Sequence, residues 1–125
     1  MARHNELGKK GEEKAIAFLT SLGHVLIATN YRAGRDEVDI ITRHHNTIVF
    51  TEVKTRSTDY YGKPEEFVDK KKRKAMKKVA DAFMAEHKLD TDIRFDIVSI
   101  IDSHGDLNIY HIPDAFFDEE NDRYN

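Results

Sequence analysis

Two apolar runs split by a polar turn constrain this chain most. Glu37 to Thr42 and Thr47 to Thr55 are both rich in Ile and Val, and the residues around His45 and Asn46 interrupt them. Such runs form strands, and the polar break reads as a turn. Each run also carries acids: Glu37 and Asp39 in the first, Glu52 in the second. If His45 and Asn46 are the two loop residues, His44 faces Thr47, Asp39 faces Glu52 and Glu37 faces Lys54. Side chains alternate along a strand, so all four then share one face. A slip of one residue puts Asp39 and Glu52 on opposite faces. A four-residue loop keeps them on one face as diagonal neighbours.

Two opposed carboxylates repel unless something neutralises them. A divalent cation does so: Mg²⁺ prefers oxygen and is held by one or two carboxylates with phosphate oxygens and water. Lys54, two residues after Glu52, is placed to orient an attacking water or offset charge in a transition state. An ordinary alternative exists. Glu37 and Lys54 would make a cross-strand ion pair worth ~0.2–1 kcal/mol, and acids are common on exposed sheet faces. The neighbours weigh against it. Ile40, Ile41, Ile48, Val49, Phe50 and Val53 make both strands look central, and charges on buried strands are paired or bound to metal.

Around this hairpin the elements read α-β-β-β-α-β-β. A helix is expected from about Asn5 to Leu22, with Ala15, Phe18, Leu19 and Leu22 at helical spacing and Gly23 ending it. Gly8 and Gly11 weaken its first turns. A strand follows over His24–Tyr31, then a loop over Arg32–Asp36. After the hairpin comes a loop over Ser57–Glu66 with Gly62 and Pro64. A second helix spans about Phe67–His87, its stripe being Val68, Ala75, Met76, Val79, Phe83 and Met84. Strands over Ile93–Ile101 and Leu107–Ile112 close the chain, joined at His104-Gly105. The fold class is α/β: a mixed central sheet flanked by two helices.

With 125 residues the chain suits one domain, with an acidic tail fraying from about residue 118. Hydrophobic residues at 39% and charged residues at 34% describe a globular chain with a wet surface. No cysteine is present, which excludes disulfides and thiolate zinc sites. No apolar run reaches the ~18–20 residues of a membrane span, and the N-terminus lacks a signal core. A cytoplasmic protein with no membrane partner is expected. The net charge of −3 hides two patches. Lys70, Lys71, Lys72, Arg73, Lys74, Lys77 and Lys78 crowd one stretch, while Asp114, Asp118, Glu119, Glu120 and Asp122 crowd the tail. The histidines are scattered. His44 and His45 are adjacent in a turn and expected to diverge, and His111 reads as structural. No Walker loop or Ser-His-Asp context is present.

The stretches GKKGEEKAIAFLTSLGHVLIATNYR, DEVDII, VFTEVKTRS, VDKKKRKAMKKVA, RFDIVSI and HIPDAF resemble, in order and spacing, the YraN-like family of uncharacterised bacterial proteins. The resemblance runs from about Gly8 to Phe116. It implies the restriction-endonuclease-like fold, whose pattern is an Asp, then Glu or Asp, one spacer and Lys, and a layout similar to archaeal Holliday-junction resolvases. Carried over, Asp39 and Glu52 are metal ligands, Val53 contributes its carbonyl, Lys54 is the catalytic lysine and Glu12 completes the site. Glu37 supports it, with Asp36 standing where the family has glycine. Arg32, Arg56 and Lys72 match further family positions. Arg32, Arg56, Lys70, Lys71, Lys72 and Arg73 are the expected nucleic-acid contacts. The implied activity is Mg²⁺- or Mn²⁺-dependent hydrolysis of DNA, branched or single-stranded, by a homodimer, with RNA left open as a substrate. Two rivals stand beside it: a non-cleaving nucleic-acid-binding module, and an interaction protein with a structural ion cluster. Glu12 alone could also be a surface acid favoured by a helix N-terminus.

Overall fold

The computed structural model describes residues 2–57 and 68–116, and of residues 2–5 the backbone alone. The elements are α1 (Ala2–Ser21), β1 (Val25–Ala33), β2 (Asp36–His44), β3 (Thr47–Ser57), α2 (Lys70–Glu86), β4 (Asp92–Ser103) and β5 (Asp106–Phe116). They follow the order read from the sequence. The strands form one sheet in the order β1-β2-β3-β4-β5. β3 and β4 run parallel, and the other neighbours are antiparallel. A parallel pair needs a crossover, and α2 lies between β3 and β4 in the chain.

The helices cover two separate cores. Met76, Val79, Ala80 and Phe83 recur at helical spacing on α2 and are buried with Phe50, Ile48, Phe95 and Ile97. Ala15 and Leu19 of α1 are buried with Ile40, Val98 and Ile100. Gly23 ends α1 as expected. Its φ of 98° suits a residue without Cβ, and the His24 N–H donates to Leu19 O at 3.0 Å across the cap. α2 starts later than its apolar stripe suggests, because the Asp69 carboxylate caps it by accepting from the Lys72 N–H at 2.8 Å. Residues 58–66 of the expected loop, Phe67 and the acidic tail lie outside the described residues.

The strands run longer than expected. β1 reaches Ala33 and β2 begins at Asp36, so the expected loop over Arg32–Asp36 shrinks to Gly34-Arg35. Gly34, at φ 63°, makes that turn tight. Among the described residues, no helix is long and apolar enough to cross a membrane.

Candidate active site

The site forms where β2 and β3 part. Their pairing runs from His44↔Thr47 to Ile40↔Thr51, the register expected from a two-residue turn. It stops there. Val38 joins the α2 core and Ile40 joins the α1 core, so the alternation of β2 breaks at Asp39. Asp39 then does not face Glu52 as a ladder partner. Its Oδ2 accepts from the Val53 N–H at 2.8 Å, taking the place of a missing strand carbonyl.

Glu52 is the most unusual acid here. Its side chain is 4% exposed, and Oε2 lies 3.4 Å from Lys54 Nζ and 3.5 Å from Lys72 Nζ. Its Oε1 is buried with no hydrogen-bond partner. Burial pushes the Glu52 carboxyl up to about 7, and the charge and shared proton of Asp39 add to the effect. The Lys72 and Lys54 ammoniums oppose it. A buried polar oxygen without a donor is the exception in folded proteins and calls for a partner.

Glu12 arrives from α1. Burial first, then the charges of Asp39 and Glu37, raise its carboxyl, while a hydrogen bond from Asn30 holds it down. Because α1 begins at Ala2, Glu12 sits mid-helix, and the helix-dipole explanation of this acid falls away. Gly11 lets α1 come this close. A Cβ at Gly11 would overlap Thr55 Oγ1 and lie 3.4 Å from Ile100 Cδ1.

Asn30 is the site residue that sequence reasoning missed. It lies on β1 between the pairs Thr29↔Ile40 and Tyr31↔Val38, which sets it across from Asp39. Its φ is 50°, a left-handed conformation in which Asn is the favoured non-glycine residue. The amide Nδ2 donates to Glu37 Oε1 at 3.3 Å. The available signal was an Asn inside an otherwise strand-forming run.

Glu12, Asp39, Val53, Lys54 and Arg56 line one cleft of about 270 Å³; Glu52, 4% exposed, does not line it and meets it through Lys54. Glu37 is placed differently from the sequence expectation. It pairs with Arg32 on β1, Nε to Oε2 at 3.1 Å, instead of Lys54, because β1 stays paired there and β3 does not. Arg56 donates to Thr55 O at 3.3 Å. Of the expected nucleic-acid contacts on α2, Lys70 and Lys71 are exposed. Lys72 is turned inward, donating to Glu37 O at 3.1 Å. Arg73 is half-buried, with its guanidinium carbon 5.9 Å from the centroid of the Phe116 ring.

Among the described residues, no three or more His, Asp or Glu side chains are grouped as a ready metal cage. The donor set is instead two close carboxylates with one orphaned oxygen. That set fits a hard divalent ion, which usually keeps several waters and takes phosphate oxygens alongside one or two carboxylates.

Two other polar clusters lie away from the cleft. The histidines of the hairpin turn do not diverge: His24 stacks on His44, and His44 lies 4.3 Å from His45 between ring centroids. The left-handed φ of 56° at His45 accompanies this packing. His24 is buried, and burial, with the charge of His44, lowers it to about 4. On β4, Asp96 is fully buried and accepts from Arg94 twice at 2.8 Å, from His111 Nε2 at 2.8 Å and from the Asp114 N–H at 3.0 Å. Burial alone would raise its carboxyl, but these donors outweigh it and hold it below the usual range.

Fold and cleft together define a small α/β protein: a mixed five-stranded sheet whose second and third strands separate around an Asp-Glu-Lys cluster. The chain belongs to the uncharacterised protein family UPF0102, the YraN-like family, matching it over residues 11–100. It is 45% identical to a UPF0102 protein of Christiangramia forsetii over 117 residues, covering 94% of this chain and 98% of that one. A UPF0102 protein of Bacteroides thetaiotaomicron is 44% identical over 94% of this chain and 97% of its own. One from Chloroherpeton thalassium is 41% identical over 90% of each.

Proposed function

We propose that this protein is a divalent-metal-dependent nuclease that hydrolyses phosphodiester bonds in DNA, selecting structure over sequence. One observation carries the reading: Glu52, nearly fully buried and close to Asp39, has one oxygen without a hydrogen-bond partner and the ammoniums of Lys54 and Lys72 on the other. A carboxylate this desolvated, with a second acid close by, is costly unless cations join it.

Asp39 and Glu52 would hold Mg²⁺ or Mn²⁺, with Glu12 and the Val53 carbonyl completing the shell as the family resemblance implies. When bound, such an ion lowers the pKa of water and stabilises negative charge on a phosphate. The protein's own groups do the rest. Asp39, tied to the Val53 N–H, keeps its carboxylate fixed. Lys54, half-buried at the cleft, orients the attacking water or neutralises charge developing on the phosphate. Arg56, at the cleft, and the exposed Lys70 and Lys71 supply phosphate contacts. The sequence carries no base-reading motif, so backbone-positioning contacts would dominate and shape would be selected. A homodimer and a cytoplasmic setting belong to the same proposal.

A non-cleaving nucleic-acid-binding role is the second reading. It is favoured by the two ammoniums already on Glu52 Oε2, which neutralise the cluster without a metal. A cleavage assay on branched, flapped and single-stranded DNA with Mn²⁺ separates the two. Cleavage abolished by Asp39→Ala supports the nuclease. Cleavage that survives the substitution removes Asp39 from the mechanism. DNA binding without cleavage by the parent supports the second reading.

A further inference from the structure

Lys72 differs from its exposed neighbours Lys70 and Lys71 in pointing into the fold. Its ammonium spans two strands, 3.5 Å from Glu52 Oε2 on β3 and 3.1 Å from Glu37 O on β2. These are the strands whose ladder has ended, with Ile40↔Thr51 as its last pair. Lys72 therefore bridges the gap at its mouth. Lys54 sits 3.4 Å from the same carboxylate oxygen. One carboxylate does not need two ammoniums, whereas an Asp–Glu pair does need about two positive charges. The two lysines together match the charge of one divalent ion.

Lys72 also has somewhere to go. It lines a second cleft of about 320 Å³, between the β1–β2 turn and the first turn of α2, with Arg35, Asp36, Glu37, Asp69 and Lys71. Its side chain is 30% exposed, so the ammonium can reach water without moving the helix. Helix α2 is pinned at this point by its own cap, the Lys72 N–H on Asp69 Oδ1 at 2.8 Å. A swing of the side chain alone suffices.

From this geometry we infer that Lys72 is a displaceable internal counter-ion: its ammonium holds Glu52 when no metal is bound and leaves for the second cleft on metal binding. Once released, it stands among Asp36, Glu37 and Asp69, whose carboxylates balance its charge beside Arg35 and Lys71. Lys72 is a positioning residue acting through Glu52. The inference rests on the metal-dependent reading of the site and adds to it the role of this lysine.

The test measures Mn²⁺ affinity by calorimetry for the parent, Lys72→Met and Lys72→Arg, without DNA. Removing a like charge from beside the cation site tightens binding, here by about three- to tenfold for Lys72→Met. Lys72→Arg keeps a cation and stays within about twofold of the parent. A merely structural lysine gives the opposite result, with looser binding for Lys72→Met. Unchanged or weaker Mn²⁺ binding by folded Lys72→Met overturns the role of Lys72, as does equal tightening by Lys72→Arg. Absence of Mn²⁺ binding in the parent and both variants overturns the metal reading itself. A second measurement needs no variant. The ¹³Cε resonance of Lys72 in the parent moves toward that of an exposed lysine as Mg²⁺ is added, and a resonance that stays put as Mg²⁺ saturates the site refutes displacement.

Discussion

Gly11→Ala should destabilise this protein although the substitution normally strengthens a helix. In an exposed helix, Gly to Ala gains about 1 kcal/mol. Gly11 is buried against β3, where an added methyl overlaps Thr55 Oγ1 and meets Ile100 Cδ1 at 3.4 Å. The Thr55 Cβ lies 3.6 Å from the same point, so rotating Thr55 only exchanges its hydroxyl for its methyl. Overpacking of this kind costs about 1–3 kcal/mol. The net expectation is a loss of about 1 kcal/mol, seen as a fall in Tm of roughly 4 °C for a domain of this size. The source of the loss is tested by a double-mutant cycle in urea. Thr55→Ala removes the overlapping atoms, so Gly11→Ala in that background should be neutral or stabilising, giving a coupling of about 1–2 kcal/mol. Because Glu12 follows Gly11, the clash also moves an acid away from Asp39, and Mn²⁺ affinity should fall with stability. A stabilised Gly11→Ala with no coupling to Thr55 would refute the claim that close packing of α1 places Glu12.

The remaining expectations concern the other polar groups. Asp96→Ala takes the buried acceptor from part-buried Arg94, from His111 and from the Asp114 N–H, and should cost about 3 kcal/mol by urea denaturation, against a much smaller loss for exposed Asp90→Ala. His24 has a folded pKa lowered to about 4 from 6.5, so the unfolded chain takes up its proton first. Its contribution is present above pH 6.5 and is lost as pH falls toward 4, by about 2–3 kcal/mol at most. Asp96, with its lowered pKa, retains its contribution through that window and loses it only in stronger acid. The Glu52 carboxyl, raised to about 7, works the other way, because the folded chain takes up its proton first and gains stability as pH falls from 7 toward 4.5. His24→Asn should therefore raise stability at pH 5.0 relative to pH 7.5 when its urea midpoints are compared with those of the parent, and an unaltered pH dependence would contradict the assignment. Asn30→Gly keeps the left-handed backbone but removes the amide between Glu12 and Glu37; Tm should move little while DNA cleavage falls.

Much of this architecture was legible because alternation and helical spacing are local signals. Ile40, Ile41, Ile48 and Phe50 announce the paired strands, and His45-Asn46 sets the register that the structure shows as far as Ile40↔Thr51. The sequence could not show where that register stops. The break at Asp39 depends on Val38 and Ile40 packing against different helices, which is a tertiary fact. For the same reason Glu37 pairs with Arg32 and not with Lys54. Lys72 looked like its neighbours on a basic face, and only the placement of α2 turns it toward Glu52. Asn30 matters through a backbone angle that composition does not reveal. The apolar stripe includes Val68, which lies before the capping Asp69, so the stripe overstates the helix at its start.

The most direct measurement is anomalous diffraction from crystals soaked in Mn²⁺. The account expects one strong peak within bonding distance of both the Asp39 and Glu52 carboxylates, lost in Asp39→Ala. Anomalous density found only elsewhere, or none at saturating Mn²⁺, would mean that these two acids are held together by lysines alone.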